Sequence, residues 1–85
     1  MKMHDIGEAI RSLENEPNVD GKLKIPVEAG FLMRGTIRSW IKYAQNYSGI
    51  KVNAFENWGL IDSEFLIEIE GNAGRIASVL KTLPV

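Results

Sequence analysis

Ser63-Glu64-Phe65-Leu66-Ile67-Glu68-Ile69-Glu70-Gly71-Asn72 is the stretch that decides how this chain folds. Phe65, Ile67 and Ile69 alternate with Glu64, Glu68 and Glu70, the period of two that puts apolar side chains on one face of a β-strand and charges on the other. Asn72 follows at a helix N-cap position, because Ile76, Ala77, Val79, Leu80 and Leu83 recur at helical spacing and Pro84 stops the run. Toward the N-terminus, Leu23-Lys24-Ile25-Pro26-Val27 alternates in the same way, and its proline assigns it to a sheet edge or a bulge. Opposite charges favour pairing the two strands antiparallel, with Lys22 or Lys24 opposite Glu68 or Glu70.

Between these strands, Ile37, Trp40, Ile41, Ala44 and Tyr47 form the buried stripe of a helix over 34–48, closed by Gly49. Ile50, Val52 and Ala54 alternate again, and 56–63 reads as a turn or short irregular connection. Near the start, Asp5 and Glu8 have capping-box spacing, Ile6, Ala9, Ile10 and Leu13 share one helical face, and Pro17 ends that helix. The order α-β-α-β-β-α predicts an α+β fold: a small, mostly antiparallel sheet with helices packed on one face, plus an extra N-terminal helix.

A chain of 85 residues supports one domain, read here as an N-terminal helical extension over 1–20 and a core over 21–85. Hydrophobic residues at 45% and charged residues at 25% exclude a disordered chain. With no cysteine and a single histidine, His4, there is no disulfide framework, thiolate zinc site or cysteine nucleophile, and no metal or cofactor is expected. No apolar run reaches the roughly 20 residues that cross a bilayer, and MKMHDIGEAI has no signal-peptide core, so a cytoplasmic protein is expected.

The net charge of −1 conceals segregation: residues 21–51 carry six bases and one acid, whereas 52–70 carry five acids and no base. These blocks either face one another in the fold or present a basic docking face. A net charge of −1 without a Gly-rich phosphate loop argues against nucleic acid. Glu64, Glu68 and Glu70 read as a solvated sheet surface and not as an acid/base pair, so no catalysis is expected.

Three passages carry a resemblance. They are Gly30-Phe31-Leu32-Met33-Arg34-Gly35 before a helix, Tyr47-Ser48-Gly49-Ile50-Lys51-Val52, and the closing strand ending Glu70-Gly71 before the last helix. Over 23–83 the chain resembles HPr, the histidine-containing phosphocarrier of the bacterial sugar phosphotransferase system, whose signature loop reads Gly-Leu-His-Ala-Arg-Pro. The resemblance implies an open-faced sandwich whose first core helix docks acidic protein surfaces. Leu32 stands where the family carries its phosphorylated histidine, so the resemblance implies no phosphocarrier chemistry here. Gly35 replaces the helix-opening proline, and 54–63 has no counterpart to the family's short second helix and regulatory serine.

What the resemblance implies is therefore a noncatalytic regulatory domain that binds protein partners. Arg34, Arg38 and Lys42, spaced by four, form one basic stripe beside an apolar loop tip of Phe31, Leu32 and Met33, which is either core or interface. Arg34, Gly35 and Thr36 at the helix start favour an anion. The competing class is a ferredoxin-like small-molecule-binding module, which shares the β-α-β-β-α order. The N-terminal helix has no equivalent in the resembled family. An open sheet face showing Lys22, Lys24, Lys51, Glu64, Glu68 and Glu70, with only Pro26, Phe55 and Leu66 apolar, is a poor cradle for it. The helix is expected either to dock along an edge near Phe55 and Leu66 or to pair with its copy in a homodimer.

Overall fold

A computed structural model describes residues 3–84, with side chains from residue 6 onward. The elements are α1 (Met3–Asn15), β1 (Asp20–Gly30), α2 (Arg34–Gln45), β2 (Ile50–Trp58), β3 (Asp62–Asn72) and α3 (Ala73–Leu80). The three strands form an antiparallel sheet in the order β1-β3-β2, with helices on one face, as the sequence order predicts.

β3 lies in the centre, and its inward side chains Phe65, Ile67 and Ile69 are buried. The register sets Lys22 opposite Glu70 and Lys24 opposite Glu68, and the first pair closes to 3.9 Å between Nζ and Oε2. Pro26 falls on the edge strand β1, where a missing N–H is tolerated. Inward from the sheet, Ile25, Ile37, Ile67, Ile69, Ile76 and Val79 are all fully buried. Trp40 locks α2 to the end of the chain: its indole N–H donates to Thr82 Oγ1 at 2.8 Å, satisfying the one polar group of a buried ring.

The helix predicted over 34–48 ends earlier, at Gln45, because the N–H groups of Asn46 and Tyr47 turn back to the carbonyls of Tyr43 and Ala44. The chain then reverses through Gly49 at φ 85°, where a Cβ would collide with the Arg75 side chain. Asn72 caps α3 as expected, its side-chain oxygen accepting from the Arg75 N–H at 3.2 Å.

Two expectations about the N-terminus need correction. The helix is already formed at Met3, so Asp5 lies inside it and is not its N-cap. The side chains of Asp5 and His4 lie outside those described. Nor does α1 dock near Phe55 and Leu66; it packs on α3. The reason is the all-round apolarity of α3, where Ala73, Ile76, Ala77, Val79 and Leu80 are all buried, so that a second helix must cover the flank turned away from the sheet. Ile6 is buried in the common core, Ile10 and Leu13 pack against it, and Lys81 Nζ reaches Glu14 Oε2 at 2.8 Å. The N–H groups of Ala73 and Gly74 donate to the carbonyls of Val19 and Pro17, fastening the α1–β1 connection over the start of α3.

With Ile6 buried and Ile10 and Leu13 packed against the core, α1 shares the core of residues 21–84. Ile6→Ala is accordingly expected to cost about 2 kcal/mol, the low end for a buried isoleucine because the site lies near a helix end. Thermal unfolding followed by circular dichroism should show one transition at lower temperature. An unchanged midpoint would mean that α1 unfolds separately.

Candidate functional site

The register ends with Gly30 opposite Asp62 and Trp58 opposite Ser63, so the β1–α2 loop and the β2–β3 hairpin leave the sheet at the same end. The first is a tight turn closed by the Met33 N–H on the Gly30 carbonyl at 2.9 Å. The second is closed by the Gly59 N–H on the Asp62 carbonyl at 2.7 Å.

Both turns carry large apolar residues beyond the reach of the helical layer. Phe31, Leu32 and Met33 are 65%, 87% and 42% exposed, and Trp58, Leu60 and Ile61 are 65%, 98% and 76% exposed. Of the two readings open for residues 31–33, core is excluded. The strand ends at Gly30 and the helix begins at Arg34, which leaves these three side chains outside the layer between sheet and helices.

Arg34 joins the two loops. Its guanidinium lies 5.2 Å from the Phe31 ring centroid and 5.0 Å from that of Trp58, and its Nη1 donates to the Gly59 carbonyl at 3.2 Å. Among the described residues it makes no ion pair within 4 Å, although its charge also acts on the Glu56 carboxylate. Arg38, one turn along α2, differs: Nε and Nη2 bind both oxygens of Glu56 at 2.7 and 2.6 Å, while the guanidinium stacks on Trp58 at 4.2 Å. Glu56 also accepts from the buried Ser63 hydroxyl at 2.8 Å.

Arg34, Arg38 and Lys42 do share a helix face, but they are not three equivalent cations. Arg38 is neutralised by Glu56, Arg34 is clamped between rings, and Lys42 is exposed. Gly35 and Thr36 lie exposed in a first helical turn with no acidic residue and no side-chain cap. Of the residues singled out in the sequence, the structure thus gathers Phe31, Leu32, Met33 and Arg34 at one end and turns Arg38 inward to a structural pair.

The irregular reading of 56–63 hides Glu56, Trp58, Leu60, Ile61 and Ser63. In the structure β2 runs on through Trp58 and a hairpin returns at Asp62. The hidden signal was the continued alternation past Ala54, with polar Glu56 turned to the covered side and apolar Phe55 to the open side.

Bonding to Arg38 holds the Glu56 carboxyl below its ordinary range, against the opposing effect of partial burial and with further help from the Ser63 hydroxyl. The sign follows: a lowered folded-state pKa contributes stability that is complete above the unfolded value and is lost as pH falls through the folded one. Glu56→Gln should therefore lose about 1–2 kcal/mol at neutral pH, and the gap to wild type should close as pH falls below the usual glutamate range. Urea unfolding across a pH series measures this. A gap that stays constant into acid would show that the carboxylate charge contributes nothing.

Among the described residues no cluster of three or more histidine, cysteine, aspartate or glutamate side chains is placed to hold a metal ion, and no helix is long and apolar enough to cross a membrane. Comparison with protein-family models, with curated proteins and with solved structures finds no match for this chain.

Proposed function

We propose that this protein is a noncatalytic protein-docking module, HPr-like in design, that binds a partner through the end of the sheet formed by Phe31–Met33 and Trp58–Ile61. The partner surface is an apolar pocket flanked by an acidic side chain. Leu32 and Leu60 enter the pocket, and the acid meets Arg34, with Lys42 and the open first turn of α2 at Gly35 and Thr36 extending the positive rim.

The supporting observation is the gathering of six large, exposed apolar side chains around one arginine that makes no ion pair within 4 Å among the described residues. Soluble chains scatter such residues singly, and clusters of them mark interaction sites. Aromatic and arginine anchors are also the groups that dominate the energetics of protein interfaces. The mixed charge nearby, with Arg38 neutralised and Asp62 adjoining, suits a protein partner better than a polyanion.

The test is a photo-crosslinking amino acid placed at Leu60 and, as control, at Ser78 on α3. Adducts formed from position 60 only, and lost in an Arg34→Glu background, are expected. Identical adducts from both positions would remove this end from consideration. Incubation with phosphoenolpyruvate and the phosphotransferase enzyme that phosphorylates HPr should leave the mass unchanged, and a stable phosphorylated species would contradict the noncatalytic reading.

A further inference from the structure

On the uncovered face of the sheet four rows run across all three strands, and they differ in a way that specifies a ligand. Lys22, Glu70 and Lys51 form the first row, Lys24, Glu68 and Asn53 the second, Pro26, Leu66 and Phe55 the third, and Glu28, Glu64 and Asn57 the fourth. The first two rows oppose each carboxylate with at least one lysine. The third is apolar across all three strands, with Phe55 61% and Leu66 39% exposed. The fourth sets two carboxylates directly opposite each other, with no base in the row and no ion pair to either among the described residues. A hollow of about 480 Å³ opens over the third and fourth rows, lined by Pro26, Glu28, Phe55, Asn57, Glu64 and Leu66.

Like charges directly opposite on neighbouring strands are destabilising, so the fourth row opposes folding and favours a cation. The adjoining apolar row favours a cation carried on an apolar body, as the stem of arginine or lysine is. Rows on one sheet face are about 6–7 Å apart, the spacing of residues i and i+2 in an extended chain.

We propose that this half of the open face is a docking groove for an extended, basic segment of another protein, in which a basic and an apolar side chain stand two residues apart. The basic head lies between Glu28 and Glu64. The apolar side chain lies on Leu66, between Pro26 and Phe55. The groove is separate from the loop end described above and stands without that reading.

The test uses the full chain, isotope-labelled, titrated with the capped peptide Thr-Arg-Thr-Leu-Thr-Arg-Thr. A version with glutamate for arginine, and arginine amide alone, serve as comparisons. Saturable amide shifts confined to 25–28, 54–57 and 64–66 are expected with the first peptide only. Affinity should fall about tenfold in a Glu28→Gln/Glu64→Gln variant and stay unchanged in Lys22→Gln, two exposed charge contacts being worth about that factor. The double variant removes a repulsion and is expected to fold at least as stably as wild type, so a loss of binding is not a loss of fold. A Leu32→Asp/Leu60→Asp variant should still bind the peptide. No saturable shift, equal binding of the glutamate peptide, equal binding of arginine amide, or the same shifts on raising protein concentration without peptide would each overturn the proposal.

Discussion

Ile67→Ala is expected to cost about 3–5 kcal/mol, in the upper half of the range for a buried isoleucine. Ile67 is fully buried at the middle of the central strand, opposite Ile25 on one side and Ala54 on the other. Ala54 has no side chain long enough to fill the void, and Ile25 is itself fully buried, so the cavity cannot collapse. A domain of this size has about 4–13 kcal/mol of total stability, so roughly a quarter of it or more is lost. The melting temperature should fall by about 15–25 °C. Leu66→Ala is the control from the same strand: its side chain points to the open face at 39% exposure, and the cost should stay below about 1 kcal/mol. Calorimetry on the two variants checks the contrast, and equal drops would mean that β3 does not have one buried and one open face.

The second large effect is on binding. Leu32→Asp combined with Leu60→Asp should weaken partner binding by at least a hundredfold, about 3 kcal/mol, because two apolar anchors are replaced by charges that must be desolvated in the partner's pocket. At 87% and 98% exposure these side chains contribute little to folding, so stability should change by no more than about 0.5 kcal/mol. Trp58→Ala probes the same surface differently. Its ring contacts the guanidinium groups of both Arg34 and Arg38, so its loss should weaken binding and also release the Arg34 side chain. Titration calorimetry against the crosslinked partner, with thermal melts of each variant, separates the two effects. Unchanged affinity in the double variant would show that this end of the sheet binds nothing.

The loop singled out in 30–35 forms only one half of the exposed apolar end of the sheet. The other half comes from 58–61, where the sequence shows Trp, Gly, Leu and Ile with no alternation to mark a hairpin. Glu56 hides the strand from a sequence reading in a particular way. A carboxylate after Ala54 normally marks the end of a strand, yet here it continues one on the covered side because Arg38 and Ser63 are waiting for it. Inward charges near an edge strand also discourage edge-to-edge pairing, which gives β2 a second reason to carry one.

What the sequence by itself determined is what repeats over short distances or is matched in sign. The period of two in 23–27 and 65–69, the period near 3.6 in α2 and α3, the Asn72 cap and the facing of Lys22 and Lys24 by Glu70 and Glu68 all follow from backbone geometry and pairwise charge. Tertiary structure alone decided where α1 lies, which of the three helix cations is paired with a carboxylate, and that residues 31–33 stand in solvent. Each of these depends on an element far along the chain. α1 needs the outer flank of α3, Arg38 needs Glu56 18 residues away, and Arg34 reaches Gly59 across 25 residues. Local periodicity says which face of an element is apolar. Which surface covers that face is settled only when the elements compete for one core too small to cover every apolar side chain.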